Sequence, residues 1–328
     1  MRTSNGVRYP NYVAMAFNPV MFVAETEGVL ALEVTMANGD GDSMEVRHDA
    51  FADGCYIDMS DYAKGLFGGV EMPSDYASIS LSAMMKELTY QVRLRTSSGW
   101  SVALAQDAGV SAFIWGALSK GETIGCNRHY KRVDGAPFVV DCYNGGGDTF
   151  DFVANGQTVS VTPPGGGLYH VPIPSALQDA EVVEVHDSWG VAVIRKDCEN
   201  GVALRWIDRH GMIAHGAFKR GAEATETAKS GEYRRNNLLN WEEGYGWTGD
   251  AGDGCIHDRK DRMNVCAVDV TLEECRALMD LASSPLVEMW DGFEWIKVRV
   301  KEDDWMVKNV SLQDLEFELW NDVMVQRG

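Results

Sequence analysis

The feature that most constrains the fold is the alternation of apolar and polar residues along most of the chain. Apolar residues occupy every second position from Leu30 to Met36, and the turn-forming run 38–42 follows at once. A period of two places such residues on one face of a strand, and asparagine, glycine and aspartate tolerate the backbone of a tight turn. The pattern predicts a hairpin that returns through residues 44–46.

The same alternation recurs in later parts of the chain. Residues 90–94 alternate ahead of the turn-forming run 97–99, and two valine-rich runs, 182–185 and 191–194, flank the run 187–190. With 45% hydrophobic and 24% charged residues, the chain has the composition of a globular protein, so a folded core is expected. We predict a mainly β fold, with several β-sandwich domains and a few short helices.

Two short helices are predicted from their boundary residues. The first begins at Asp58 or Ser60, whose side chains can accept hydrogen bonds from free amides, and ends at the glycine pair 68–69. The second lies at about 271–283, where Thr271 and Glu274 match a capping box and Ser284 with Pro285 ends the helix.

A chain of 328 residues exceeds the size at which one hydrophobic core usually keeps growing, so more than one domain is expected. The clearest change of composition is the proline and glycine run 163–167. We therefore predict an N-terminal β-sandwich-like domain over residues 1–165 and a C-terminal β-rich domain over 166–328.

The C-terminal domain contains a long polar segment with embedded aromatic residues. Apolar periodicity fades at about 219–262, and a structureless loop of that length is unusual in a compact domain unless it has a function. We interpret the segment as a protruding arm or a long loop that binds a partner. The residues expected to contact a partner or ligand are Trp241, Tyr245, Trp247, Arg234 and Arg235.

The charge of the chain argues against two classes of partner. A formal net charge of -20 repels phosphate backbones and anionic lipids, so neither nucleic acid nor a membrane is expected as the main partner. The basic run 128–132 is interpreted as solvated loop charge, or as a contact for an acidic neighbour. Residues 1–20 lack the apolar core of a secretory signal, so we expect assembly in a cytoplasm.

The sequence contains no strong catalytic or metal-binding motif. Its 7 cysteines form no C-x-x-C pair, and its 7 histidines form neither H-E-x-x-H nor H-x-H. Cys255 and His257, between Asp253 and Asp258, could ligate zinc, but an ordinary polar loop is the preferred interpretation. The acidic run 38–42 likewise favours a hairpin turn over a calcium loop. We predict no catalytic residue, no cofactor and no metal.

Two segments resemble structural proteins of phages and prophages of gut bacteria. The first is LRWIDRHG at residues 204–211, running into Phe218 and Lys219, and the second is the run 283–290 with 295–300 and the closing Val325 and Gln326. Phe17 to Pro19 and Tyr56 to Asp58 extend the likeness to the N-terminal domain.

This resemblance implies a part of a virion, similar to distal tail or baseplate proteins, whose β-sandwich domains form rings around the tail tube. Such rings join identical copies through heterologous interfaces that close by rotation. The partners implied are further copies of this chain and other virion proteins. Two other functions remain open: a carbohydrate-binding or receptor-binding module that uses Trp241, Tyr245 and Trp247 on a glycan, and a glycoside hydrolase.

Overall fold

The computed structural model describes residues 1–51, 54–74, 76–106, 109–125, 128–197, 201–233, 253–301, 308 and 310–326. It is mainly β, with 54% of residues in strands and 9% in helices, which confirms the predicted fold class. Contacts divide the chain into two compact units. The first comprises Met1–Lys196 with Trp206–His215, and the second comprises Asp197–Arg205 with Gly216–Gly328.

The N-terminal part of the first unit contains two packed sheets and one helix. One sheet has the strand order β1-β2-β4-β7, and the other has the order β3-β11-β9-β5-β6, with β10 paired to β9. In chain order, the elements are β1 (Arg2–Ser4), β2 (Val7–Tyr9), β3 (Val13–Met15), β4 (Met21–Ala24), β5 (Ala31–Ala37), β6 (Ser43–Asp49), β7 (Cys55–Asp58), α1 (Ser60–Phe67), β8 (Ser80–Leu81), β9 (Met85–Thr96), β10 (Gly99–Leu104) and β11 (Val110–Ile114).

The core of this part lies between the two sheets, as the alternation predicted. Phe22 of the first sheet belongs to the same buried cluster as Val34, Val92 and Phe113 of the second. The hairpin predicted after Met36 is confirmed: β5 pairs with β6 in antiparallel register. In its turn, the Asn38 side-chain oxygen accepts hydrogen bonds from the backbone amides of Asp40 and Asp42, both at 3.0 Å.

Helix α1 forms where the sequence predicts it. The Asp58 carboxylate accepts hydrogen bonds from the amides of Ser60 at 2.9 Å and Val20 at 3.0 Å, which joins the helix start to a neighbouring segment. The helix ends at Gly68, whose φ of 73° is accessible to glycine at little cost. Its buried residues Leu66 and Phe67 belong to the sandwich core.

Two further sheets complete the first unit. One has the order β12-β18-β17-β14-β15, and the other has the order β13-β16-β8. The predicted boundary at 163–167 lies inside this unit, in the connection between β15 and β16. The elements are β12 (His129–Val133), β13 (Val139–Asn144), β14 (Phe150–Ala154), β15 (Gln157–Val161), β16 (Gly167–Pro172), a 3₁₀ turn (Ser175–Leu177), β17 (Val182–Asp187) and β18 (Gly190–Asp197).

The basic run 128–132 is not a solvated loop, so that interpretation is wrong. His129–Val133 is strand β12, and the side chains of Arg128 and Asp187 are only 2% and 0% exposed. Two guanidinium nitrogens of Arg128 each donate a hydrogen bond of 2.8 Å to Asp187. Asp187 also accepts from the amides of Tyr143, Trp189 and Gly190, which fixes the turn between β17 and β18.

The second unit is built on a closed six-stranded barrel, an architecture that the alternation alone did not predict. Its strand order is β19-β20-β21-β24-β23-β22, and helix α2 follows β21 in the chain. The elements are β19 (Val202–Ile207), β20 (Ile213–Tyr233), β21 (Asp253–Val270), α2 (Leu272–Ser283), β22 (Val287–Trp290), β23 (Trp295–Val300) and β24 (Gln313–Gln326).

The capping box predicted for the second helix is confirmed. The Thr271 hydroxyl accepts from the Glu274 amide at 3.3 Å, and the Glu274 carboxylate accepts from the Thr271 amide at 2.9 Å. In the described parts of the chain, neither helix has the length and apolar character needed to cross a bilayer.

Three cysteines of the described chain are buried free thiols. Burial raises the pKa of Cys55, Cys142 and Cys275, and for Cys142 the nearby Asp187 carboxylate raises it further. These thiols therefore stay protonated at neutral pH.

The buried ion pair generates a stability prediction. Asp187→Asn leaves the Arg128 guanidinium charged and buried without its counter-ion, which should lower the free energy of unfolding by about 3–5 kcal/mol. Glu25→Gln is the control, because it breaks the exposed Arg8–Glu25 pair and should cost less than about 1 kcal/mol. Urea unfolding followed by circular dichroism measures both, and equal shifts in the two midpoints would contradict the prediction.

Candidate binding cleft at the end of the barrel

The residues singled out from the sequence as partner contacts are not placed by the structure. Trp241, Tyr245, Trp247, Arg234 and Arg235 all lie outside the described residues. Their role therefore stays a prediction. The polar loop preferred over a zinc site at Cys255 and His257 is wrong, because the backbone of 253–260 is part of strand β21; the side chains in this range lie outside the described part.

The polar segment 219–262 is strand where the structure describes it. Strands β20, β21 and β24 have 21, 18 and 14 residues, whereas β22 and β23 have 4 and 6. The pairing of β21 with β24 continues to Ile256 opposite Gln326, but in the described chain β23 pairs with β24 only at Leu319 and Trp320. At about 3.3 Å per residue, β24 continues past this point by about 20 Å and the neighbouring parts of β20 and β21 by about 30 Å. We call residues 223–233, 253–262 and 320–326 the ribbon.

A cleft of about 270 Å³ lies where the ribbon leaves the barrel. Residues of β20, β21, β22, β23 and β24 line it, so it is located at one end of the barrel, a common place for binding sites in barrels. Its base contains Met263, Val298 and Leu319, which are buried, and Met289, which is half-buried. Methionine side chains adapt to irregular shapes, so the base can accommodate an apolar group.

The rim of the cleft carries both signs of charge. Arg220 lies 3.2 Å from Glu223 in an exposed ion pair on β20. On β21, Asp261 accepts a hydrogen bond of 2.8 Å from the Thr225 hydroxyl, and the Arg262 guanidinium lies 5.9 Å from the centre of the Trp320 ring. The rim therefore presents one exposed cationic group, Arg220, and one half-buried cationic group, Arg262, which lies beside the Trp320 ring.

Glu318 lies behind the lining of the cleft and supports the wall formed by Arg262 and Trp320. Its carboxylate lies 3.6 Å from Arg262 and 3.3 Å from Lys301, and it accepts a hydrogen bond from the Trp320 indole. Burial would raise the pKa of Glu318, but the Trp320 and Lys301 hydrogen bonds and the two positive charges outweigh it and lower the pKa from its usual value. The charged form of Glu318 therefore stabilises this wall.

The opposite wall belongs to the hairpin of β22 and β23, whose turn presents an aromatic side chain to solvent. Phe293 is 91% exposed, and no large apolar side chain in the described chain is more exposed. The Asp291 carboxylate accepts hydrogen bonds of 2.8 Å from the amides of Phe293 and Glu294, and these bonds lower the pKa of Asp291. These hydrogen bonds fix the backbone of the turn, so the Phe293 side chain projects from a defined point of the hairpin.

The stem of this hairpin is anchored to the barrel. Trp290 and Trp295 are paired across it, with ring centres 5.5 Å apart. Arg205 of β19 lies 4.6 Å from the Trp295 ring centre and donates a hydrogen bond of 2.7 Å to Glu288. The hairpin is therefore a stiff projection.

A buried polar cluster in the first unit has a structural role. The Asp141 and His170 side chains are 0% and 3% exposed, with 2.5 Å between Oδ1 and Nδ1. The second carboxylate oxygen of Asp141 accepts a hydrogen bond of 2.7 Å from the Ile213 amide. The cluster thus ties the segment 206–215 to strands β13 and β16 of its own unit. In the part of the chain that the structure describes, no three metal-ligating side chains converge.

Comparison with known proteins adds no assignment. No family model matches the sequence, and no curated protein is significantly similar to it.

Sequence reasoning missed the cleft because its lining comes from five strands that are distant in the chain. Met263, Met289 and Trp320 are separated by many residues, and no local motif relates them. Two sequence features could have pointed to this region. One is the polar turn Asp291–Glu294 between two tryptophans, and the other is the unusual length of the polar segment 219–262.

The ionised Glu318 carboxylate gives a prediction for how the stability of the protein depends on pH. Since the folded pKa of Glu318 is lowered from its usual value, its contribution to stability is present above the unfolded pKa and is lost as the pH falls through the folded pKa. Glu318→Gln should therefore destabilise the protein by less than about 1 kcal/mol near neutral pH, and this difference should shrink in acid. Urea midpoints measured across a pH series test this.

The control variant is Glu316→Gln, which removes the same charge from the same strand. Glu316 accepts a hydrogen bond of 2.8 Å from the neutral Asn264 amide, so its replacement should change the midpoint less. A Glu318→Gln difference that grows on acidification would contradict the prediction.

Proposed function

We propose that this protein is an assembly component of a phage tail, in which copies of the chain join head to tail into a ring through the ribbon of the second unit. The phage context is supported by the resemblance of residues 204–211, 283–290 and 295–300 to phage structural proteins. The mode of assembly is supported by the open strand edges of the ribbon. The proposal assigns no catalytic residue and no cofactor, and its location is the virion after assembly in the host bacterium.

One open edge belongs to β24. The Lys301 amide donates a hydrogen bond of 2.9 Å to the Glu318 carbonyl, so the backbone groups of Glu318 face β23. Since successive residues of an antiparallel strand face opposite sides, those of Asp322 and Met324 face the same side. Pairing with β23 has ended at Trp320, so within the described chain no strand covers this edge. Uncovered strand edges are templates for pairing with another chain.

The second open edge belongs to β20. In the turn between β19 and β20, the Asp208 amide donates a hydrogen bond to the Met212 carbonyl. If the hairpin is regular, counting back from this pair places Val202, the first residue of β19, opposite Phe218. β20 continues from there to Tyr233, with a bulge between Arg220 and Glu223. In the described chain, the outer side of β20 beyond Phe218 is therefore open as well.

The directions of the two edge strands suit a ring. β20 and β24 are each antiparallel to β21, so both run toward the tip of the ribbon. Rotational symmetry keeps every copy in the same orientation along the axis. The β24 edge of one copy can therefore meet the β20 edge of the next in parallel pairing, a heterologous contact that repeats until the ring closes. Backbone hydrogen bonds would supply the contact, as in other cases of strand addition.

The net charge of -20 means that neighbouring copies repel each other at long range. Salt screens such repulsion over a distance of about 8–10 Å near physiological ionic strength. We therefore expect association of the purified protein to strengthen as salt is raised from low concentration, which sedimentation velocity in a salt series measures. Association that weakens steadily with salt would instead indicate a contact dominated by attraction between opposite charges.

Met324→Pro tests the β24 edge. Proline removes the outward amide of Met324 and leaves the pairing with β21 intact, so the variant should fold and lose most of its self-association. Met324→Val retains the amide and is the control, which should associate like the parent chain. Sedimentation velocity gives the oligomer distribution, and electron microscopy shows whether rings form. A parent chain that stays monomeric at every concentration and salt would contradict the proposed function, as would normal assembly of Met324→Pro.

A further inference from the structure

We infer that the turn Asp291–Glu294 is a plug, and that its Phe293 side chain inserts into the barrel-end cleft of a second copy of this chain. The inference rests on the proposed function, because it names the side-chain contact that accompanies strand pairing between neighbours. The plug, residues 291–294, lies outside both strand edges, so variants of the plug and variants of the β24 edge test the two contacts separately.

The size and chemistry of the cleft match a phenyl ring. The cleft has a volume of about 270 Å³, and a protein cavity of about 150 Å³ is sufficient to bind benzene. Met263 and Met289 at the base offer polarizable sulfur atoms, which make favourable contacts with aromatic rings. An aromatic side chain that is 91% exposed at a stiff turn is the kind of group that anchors interfaces.

The charges around the two surfaces are complementary. Asp291 and Glu294 flank Phe293, so the plug carries two carboxylates. Arg220 and Arg262 are the cationic groups of the cleft, and the Arg220 side chain is 63% exposed. Arg220 can therefore reorient from Glu223 toward an incoming carboxylate. The approach of Glu294 to this rim is favoured, while Asp291 remains engaged with its own turn.

The strand order places the plug and the cleft on facing sides of neighbouring copies. The hairpin of β22 and β23 follows β24 in the order β20-β21-β24-β23-β22, while the Arg220 and Glu223 side of the cleft belongs to β20. If β24 of one copy pairs with β20 of the next, the hairpin of the first copy lies beside the β20 wall of the second copy's cleft. The same row of copies thus brings each plug to its neighbour's cleft.

The direct test replaces Phe293 with the photoreactive analogue p-benzoylphenylalanine in the full-length chain. Copies that carry the analogue are mixed with copies labelled with ¹⁵N, irradiated, and digested for mass spectrometry. We expect cross-links between a light and a heavy copy, attached to the peptides that contain Met263 or Met289. Cross-links confined to one copy, or joined to other parts of a neighbour, would overturn the inference.

A quantitative test uses Phe293→Ser with Phe51→Ser as the matched control, since Phe51 is also exposed, at 68%, but lies in the first unit. Loss of a buried aromatic anchor should raise the dissociation constant at least about tenfold, whereas the control should leave it unchanged. Equal effects of the two variants would overturn the inference.

Charge exchange gives a third readout. Glu294→Arg and Arg220→Glu should each weaken association, and the double variant should recover most of it because each interface regains one opposite pair. Failure of the double variant to recover would contradict the pairing of Glu294 with Arg220. If oligomers form but these variants and the cross-links give the contrary results, only the plug is wrong. If the parent chain is monomeric, the plug and the proposed function both fall.

Discussion

The requirement that every backbone amide and carbonyl find a partner determines the organisation of the second unit. A closed barrel meets this requirement internally, because its first and last strands pair. Strands β20, β21 and β24 are much longer than their neighbours, so the barrel can close over only part of their length. The ribbon, the cleft at its base and the uncovered edges all follow from this mismatch in strand length.

The first unit depends on side-chain ties that connect distant parts of the chain. Asp187 satisfies Arg128 and three backbone amides at one turn, and Asp141 joins His170 to the Ile213 amide. Each carboxylate is fully buried, so its hydrogen bonds are needed to offset the loss of water. These two residues orient elements that the apolar core alone would hold less specifically.

The sequence predicted features that depend on local chemistry and missed those that depend on distant partners. The hairpin after Met36, the start of α1 and the Thr271 capping box are set by residues a few positions apart, and all are confirmed. Arg128 was misinterpreted because its counter-ion is 59 positions away. Barrel closure and the divergence of β23 from β24 were also missed. Alternation shows on which face of a sheet a side chain lies, but it does not show which strand pairs with which. The aromatic residues first chosen as contacts lie outside the described range, so they remain untested.

Under the proposed function the protein would leave the cell in which it is made, and this gives the buried thiols a consequence. Thiolates, and not protonated thiols, exchange with disulfides or react readily with oxidants. Cys55, Cys142 and Cys275 are shielded and protonated, so leaving a reducing interior for an oxidising medium would not scramble their bonding. Within the described chain, these three thiols can thereby pass between the two redox environments unchanged.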